Sequence, residues 1–237
     1  MKHRVAIEPS ILSADFARLG EQAREAEDAG VEGIQIDVMD GHFVPNLTFG
    51  PGIVRALRKR VKIFLDSHLM IDNPERFLGD FADAGSNRVI VHHEACRDSR
   101  AVLQSIRKLG VESGIAVNPS TPISSVGDVL DIADSVQVMT VNPGFAGQKF
   151  MKDQMEKLKW LRREIDQRHL QTSIIVDGGI DKNTAPIAVT SGATVLVAGS
   201  SIYNQSATVS QNIAALRGSI DRLTTGRAQI ASSFLAL

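Results

Sequence analysis

Three stretches of the chain carry side chains suited to moving a proton beside a bound cation. The first is Gln35-Ile-Asp-Val-Met-Asp-Gly-His-Phe-Val-Pro-Asn46, where a short apolar run passes directly into a loop dense in polar groups. A period of two sets Gln35, Asp37 and Met39 on one face and Ile34, Ile36 and Val38 on the other. If the polar face points into a closed barrel, Gln35 and Asp37 are buried, and a buried unpaired carboxylate is costly unless something binds it. A metal or substrate site answers that cost; a strand-end turn at Asp40-Gly41, with Asp37 capping a loop, is the plainer alternative. The second stretch, Ile174-Ile-Val-Asp-Gly-Gly-Ile180, repeats the pattern with Asp177 followed by two glycines, and the third, Val61 to Met70, carries His68. Two carboxylates and an imidazole at the ends of three apolar runs make an oxygen and nitrogen ligand set.

Asp37 and Asp177, facing each other across a barrel mouth, would suit an epimerase: one removes a proton from one face of a carbon and the other delivers a proton to the opposite face. Like charges that close oppose joint ionisation, so a cation or a shared proton is expected between them. A metal held by Asp37, His68 and Asp177 would relieve the repulsion and stabilise the oxyanion of an enediolate next to a ketone. Glycines mark a phosphate side. Gly144-Phe145-Ala146-Gly147, Gly178-Gly179 and Gly199-Ser200 follow the sixth, seventh and eighth strand signals, where barrels commonly place a phosphate; helix-entry turns without a ligand are the alternative. Met39, Met70 and Met139 also fall at strand ends and read as a soft apolar wall that shields the reacting carbon from water. His42, His92 and His93 cannot all be ligands, and His92 with Glu94 is read as hydrogen-bonded support.

Elements that could position these residues follow in order. Val5 to Leu12 reads as a strand, and Ser13-Ala-Asp15 caps a helix to Ala29 that Gly30 stops. After the Gln35 strand come a helix from about Gly52 to Arg60, the strand ending at His68, and a helix opened by Asp72-Asn73-Pro74 and closed by Gly85. Strands at Arg88 to His92, Ser113 to Val117, Ser135 to Val141, Ser173 to Val176 and Ala193 to Ala198 alternate with helices at Arg97 to Leu109, Ser125 to Ala133, Lys152 to Arg168, the longest, and Thr184 to Thr190. A last helix covers about Thr208 to Leu223. Eight strand signals alternating with helix signals predict parallel βαβ units closed into a single (β/α)8 TIM barrel over residues 1–223. Residues 224–237 are a C-terminal extension of unknown role, with Ile230, Phe234, Leu235 and Leu237 packing on the barrel or a neighbouring subunit, or fraying.

The 237 residues match the size of one such barrel, and the formal charge of −1, with both signs spread along the chain, leaves no footprint for nucleic acid or a bilayer surface. Cys96 is the sole cysteine, so no intrachain disulfide forms and a reducing, cytoplasmic compartment is expected. Glu8 and Pro9 interrupt the apolar run after Met1-Lys-His-Arg4, so neither a signal peptide nor a membrane span is predicted. The expected partners are a sugar-phosphate substrate and further copies of the same chain.

Pro9-Ser-Ile-Leu-Ser13, Asp37-Val-Met-Asp-Gly-His-Phe-Val-Pro-Asn46, His68-Leu-Met70, Met139-Thr-Val-Asn-Pro-Gly-Phe-Ala-Gly-Gln148, Val176-Asp-Gly-Gly179 and Ala198-Gly-Ser200 together resemble the ribulose-phosphate 3-epimerase family. The likeness holds in order and spacing to about Leu223. It implies a TIM barrel of the ribulose-phosphate-binding type that interconverts D-ribulose 5-phosphate and D-xylulose 5-phosphate with one divalent metal. It also implies Asp37 and Asp177 as paired acid and base and metal ligands, His68 as a ligand beside the substrate, and Ser10 as a substrate contact. Gly144, Phe145, Ala146, Gly147, Gly178, Gly179, Gly199 and Ser200 would hold the phosphate end.

Two departures stand out. Gln35 occupies a position where the family usually has histidine, and its neutral, harder oxygen shifts the expected metal among Zn, Fe(II), Mn and Mg away from zinc. Gly-Phe-Ala-Gly stands where many pentulose epimerases have Gly-Phe-Gly-Gly, and this alanine version also resembles allulose-6-phosphate 3-epimerase, the alternative activity; Asp177-Gly-Gly179 favours the pentulose enzyme. A decarboxylase of the orotidine-monophosphate type needs a lysine between two aspartates, and Asp37-Val-Met-Asp40 has none. A non-catalytic sugar-phosphate binder leaves the retention of both Asp37 and Asp177 unexplained.

Overall fold

Largely apolar segments of four to seven residues give, among the described residues, eight strands: β1 (Ala6–Pro9), β2 (Gly33–Met39), β3 (Phe64–Met70), β4 (Arg88–His92), β5 (Glu112–Val117), β6 (Ser135–Met139), β7 (Ser173–Asp177) and β8 (Val195–Ala198). They form one parallel sheet ordered β1-β8-β7-β6-β5-β4-β3-β2. The computed structural model describes residues 4–234, with side chains described for 4–223. An isolated parallel bridge pairs Ser10 with Gln35 across the remaining seam between β1 and β2, completing the expected TIM barrel. Closure therefore sets two predicted site residues side by side.

Alternation along the strands sorts the barrel into layers. Outward side chains such as Ile34, Ile36, Leu65, Leu69, Val89 and Val91 join the helices in the main core. Inward, Glu8, Asp66 and Arg88 form a charged layer at the N-terminal end, Ile90, Ala116, Ile175, Val195 and Val197 an apolar middle, and Gln35, Asp37, His68, Gln137 and Asp177 a polar layer toward the C-terminal mouth. Register puts Asp37 opposite His68 and Asp177 opposite Met139, so the pairing itself delivers the polar layer.

Among the described residues seven α-helices pack outside: α1 (Leu19–Asp28), α2 (Pro51–Arg58), α3 (Leu78–Ala84), α4 (Ser99–Lys108), α5 (Met155–Gln167), α6 (Ala185–Thr190) and α7 (Val209–Phe234). Local chemistry explains where they depart from expectation. Ser13 does not open α1; 3-10 turns at Ile11–Ser13 and Phe16–Arg18 intervene, capped by Ser10 and Asp15. Asn73 makes no side-chain cap, because it sits before Pro74 at φ 47°, in the left-handed region that asparagine tolerates, and a 3-10 turn precedes α3. The helix expected from Ser125 to Ala133 is reduced to a 3-10 turn, Ile123–Val126. There the Ser125 hydroxyl donates to the Pro122 carbonyl at 2.7 Å and Gly127 follows, both weakening a longer helix. The longest helix is α7, at 26 residues against 13 for α5, and it passes Leu223, the expected end. The packing expected of Ile230, Phe234, Leu235 and Leu237 lies outside the described side chains.

At the base of the barrel Arg88 donates to Glu8 at 2.6 Å and to Asp66 at 2.7 Å, with its guanidinium over the Phe64 ring at 4.9 Å. Burial pushes the Asp66 carboxyl up to about 7 against the pull of Arg88. Removing the one cation strands two carboxylates inside, so Arg88→Met is expected to cost about 3–5 kcal/mol of stability in urea unfolding. The loss should be smaller at pH 5 than at pH 8. Without Arg88 the buried Asp66 carboxyl holds its proton to higher pH than in the unfolded chain, so stability falls as pH rises through that range. A loss below about 1 kcal/mol at pH 8 would show that the cluster is solvated rather than dry.

Candidate active site

The ends of β1, β2, β3 and β7 bring Ser10, Gln35, Asp37, His68 and Asp177 together. His68 Nδ1 lies 2.9 Å from Asp37 Oδ1 and 3.5 Å from Asp177 Oδ2, and one ligating atom from each of these three residues lies within 4.8 Å of the others. The Ser10 hydroxyl donates to Asp37 Oδ2. The Gln35 amide bridges the carboxylates, donating to Asp37 Oδ1 and Asp177 Oδ2 at 2.9 Å each. Two threonines brace the strand ends. Thr48 donates to the Asp37 carbonyl at 2.6 Å, and Thr140 donates to the carbonyls of Asp177 and Gly178 at 3.0 and 2.6 Å.

Burial, then the nearby Asp37 charge, pushes the Asp177 carboxyl up to about 7. Burial opposes a charge on His68, but the Asp37 hydrogen bond and the charges of Asp37, Asp177 and Asp66 outweigh it and raise the imidazole above its usual range. Both directions describe a pocket short of positive charge, and a bound cation would reverse them.

The donor set fits a divalent cation. One imidazole nitrogen and two carboxylates converge, and Gln35 Oε1 is buried without a hydrogen-bond partner. Which end of a glutamine amide faces a site depends on what the site holds, so the same side chain turned about its last bond would offer oxygen in place of N–H.

Above this cluster opens a cavity of about 620 Å³. Asp37 and Asp177 reach its floor, buried Met39, Met70 and Met139 form a wall, and Ser10 borders it. Gln35 and His68, both fully buried, lie beneath the lining, so His68 meets the carboxylates rather than the open cavity. The far rim carries Gly144, Phe145, Ala146 and Gly147 from one loop, with Gly178, Gly179, Gly199 and Ser200 from the next two. Gly178 (φ 122°) and Gly179 (φ 63°) allow no side chain: a Cβ would meet Val141 Cγ2 at 2.6 Å or the Phe150 backbone nitrogen at 2.7 Å. Asn46 donates to the Gly144 carbonyl at 2.8 Å, tying the loop after β2 to the glycine loop.

Sequence reasoning missed Gln137, whose amide donates to Asp177 Oδ2 at 3.0 Å and whose Oε1 is a second buried oxygen without a partner. The signal existed: Gln137 lies two residues before Met139 in an apolar run, the pattern that singled out Gln35. Lys149 and Lys152, which also line the cavity, follow directly on the glycine loop. Thr48 and Thr140 carried no pattern. His42 stays in the exposed loop and His93 pairs with Ser99, whereas His92 contacts both His68 and Glu94.

Residues 6–203 match the model of the Ribulose-phosphate 3 epimerase family. The chain is 47% identical over 203 residues to a ribulose-phosphate 3-epimerase of Bacillus subtilis, covering 85% of this chain and 94% of that one. It is 46% identical over 218 residues to a ribulose-phosphate 3-epimerase of Rhodobacter capsulatus, covering 90% and 94%. Orotidine 5'-phosphate decarboxylase of Pyrococcus horikoshii superposes with a TM-score of 0.67 at 18% identity, covering 91% of this chain and 99% of the other, a likeness of fold alone.

Proposed function

The chain belongs to the ribulose-phosphate 3-epimerase family, a family of carbohydrate isomerases, and from that premise we propose that it interconverts D-ribulose 5-phosphate and D-xylulose 5-phosphate by proton transfer at C3. The observation that carries the reading is the pair of carboxylates, Asp37 and Asp177, meeting one edge of His68 at the floor of a cavity rimmed by glycine turns. The phosphate would lie against the backbone N–H groups of Gly178, Gly179, Gly199 and Ser200 and the Gly144 to Gly147 loop, leaving C3 between the carboxylates. The ionised carboxylate takes the proton from one face, and the other, protonated, returns one to the opposite face; the roles exchange for the reverse reaction. Ser10 fixes Asp37 through its hydroxyl, and the methionine wall keeps water from the carbanionic intermediate.

Asp37, His68 and Asp177, with Gln35, would hold a divalent metal, which supplies positive charge next to the developing oxyanion. One imidazole and three oxygen donors form a harder set than two imidazoles, favouring Mn, Fe(II) or Mg relative to zinc. Gln35→His is accordingly expected to tighten zinc binding by about tenfold or more and to keep epimerase activity. Gln35→Leu should weaken metal binding with the barrel intact. Equal affinity of wild type and Gln35→Leu in calorimetric titrations would remove Gln35 from the ligand set.

Reaction in deuterated water tests the function. An epimerase places solvent deuterium at C3 of both pentulose phosphates, whereas a sugar-phosphate binder leaves the C3 proton in place. Faster exchange on allulose 6-phosphate would transfer the assignment to the sister activity that Ala146 suggests. Among the described residues no helix is long and apolar enough to cross a membrane. A cytoplasmic address, supported by the lone Cys96, and assembly as a homo-oligomer belong to the same proposal.

A further inference from the structure

His92 is fully buried and stacks on His68, with ring centroids 5.0 Å apart and planes inclined by 25°. Phe43 packs on it at 4.8 Å, so the ring has little freedom to turn. The two Nε2 atoms are 2.9 Å apart, a contact that requires one ring to donate and the other to accept. Which does which is set on the far side. His92 Nδ1 faces Glu94 Oε2 at 3.2 Å, and the other Glu94 oxygen already accepts the Asn118 N–H at 2.8 Å and the Thr121 hydroxyl. A carboxylate that already accepts from two donors is ionised and offers only acceptor oxygens, so His92 Nδ1 carries the hydrogen. Were Nε2 protonated as well, a cationic ring would lie at 0% exposure against a second imidazole; the neutral ring costs less. His92 Nε2 is then the acceptor and His68 Nε2 the donor. That leaves His68 Nδ1 as the nitrogen turned to Asp37 Oδ1 at 2.9 Å and Asp177 Oδ2 at 3.5 Å.

We propose that Glu94 and His92 are positioning residues that lock the tautomer of His68, keeping its Nε2 protonated so that its Nδ1 lone pair is committed to a divalent cation shared with Asp37 and Asp177. The inference rests on the reading of that cluster as a metal site. Without the relay, the single proton of neutral His68 is free to settle on Nδ1, drawn by Asp37, and must be displaced before a cation can bind. Second-sphere partners of this kind change metal affinity about 10–100-fold when removed. Against the cost of its partial burial, the Glu94 carboxyl is held down to about 2 by His92, Thr121 and Asn118.

Long-range proton–nitrogen correlation spectra of the full chain, labelled with nitrogen-15 in its imidazoles, read the tautomers directly, in both the metal-free and the zinc-loaded protein. His92 should be protonated at Nδ1 alone, and His68 at Nε2 in both states. Zinc affinity, measured by competition with a chelator, should fall about 10–100-fold in His92→Phe, which keeps a flat ring but cannot accept. His92→Gln, whose side-chain carbonyl can take the His68 proton, should lose clearly less. A His92 ring protonated at Nε2, wild-type affinity in His92→Phe, or equal losses in His92→Phe and His92→Gln would each overturn the relay. The wild-type spectra decide the matter even if a variant fails to fold. Absence of zinc binding to the wild-type chain would instead overturn the metal reading of the cluster, and with it the commitment of Nδ1 to a cation; the metal-free spectrum would still report whether the relay sets the tautomer.

Discussion

Asp37→Asn and Asp177→Asn are each expected to lower the rate of epimerisation by about 10²–10⁴-fold, because each takes a proton-transferring group from one face of C3. The amide keeps the size of the carboxylate, so the barrel should fold in both variants; what changes is the capacity to take up a proton. The two losses need not be identical in kind. Asp37 also accepts from Ser10 and Gln35 and lies 2.9 Å from His68 Nδ1, while Asp177 accepts from Gln35 and Gln137. Asp37→Asn therefore disturbs more partners, and its expected loss is the larger. In either variant the surviving carboxylate can still remove a proton and return it on its own face, so exchange of C3 with deuterated water should outlast inversion. Near-normal inversion in either variant, measured by coupling xylulose 5-phosphate formation to a second enzyme, would refute the two-base mechanism.

Most of the geometry behind that expectation is legible in the chain itself. Gln35 and Asp37 alternate with three large apolar residues, which places both inside a closed sheet, and the two glycines after Asp177 end its strand at the mouth. Their mutual distances were not legible, because they depend on closure across β1 and β2 and on the register Asp37 to His68. Gln137 was within reach of the same period-two reading. The tertiary contact between His68 and His92 was not, since it joins two strands through the barrel interior and no local pattern encodes it. Helix boundaries failed at Asn73, whose backbone is left-handed before Pro74, and at Ser125, whose hydroxyl competes with the backbone, and those misjudgements leave the strand ends, and hence the site, unchanged.

The phosphate should matter for rate as well as for affinity. Free D-ribulose presents the same C3–H and the same ketone to Asp37 and Asp177, so any difference from D-ribulose 5-phosphate measures what the rim of glycine turns contributes. Binding energy spent on that rim holds C3 in line with both carboxylates instead of merely retaining the sugar. The kcat/KM for free D-ribulose is therefore expected to be lower by at least about 10³-fold, with part of the loss in kcat. Gly178→Ala supplies the converse experiment. At φ 122° its new methyl group would press on Val141 Cγ2 at 2.6 Å, displacing the turn that follows Asp177. The variant should lose activity on the phosphorylated ketose and change little on the free sugar, whose binding does not use that turn. Comparable kcat on the two substrates in the wild type would show that the turns do not position the substrate. An equal loss on both substrates in Gly178→Ala would show that the turn acts through Asp177 and not through the phosphate.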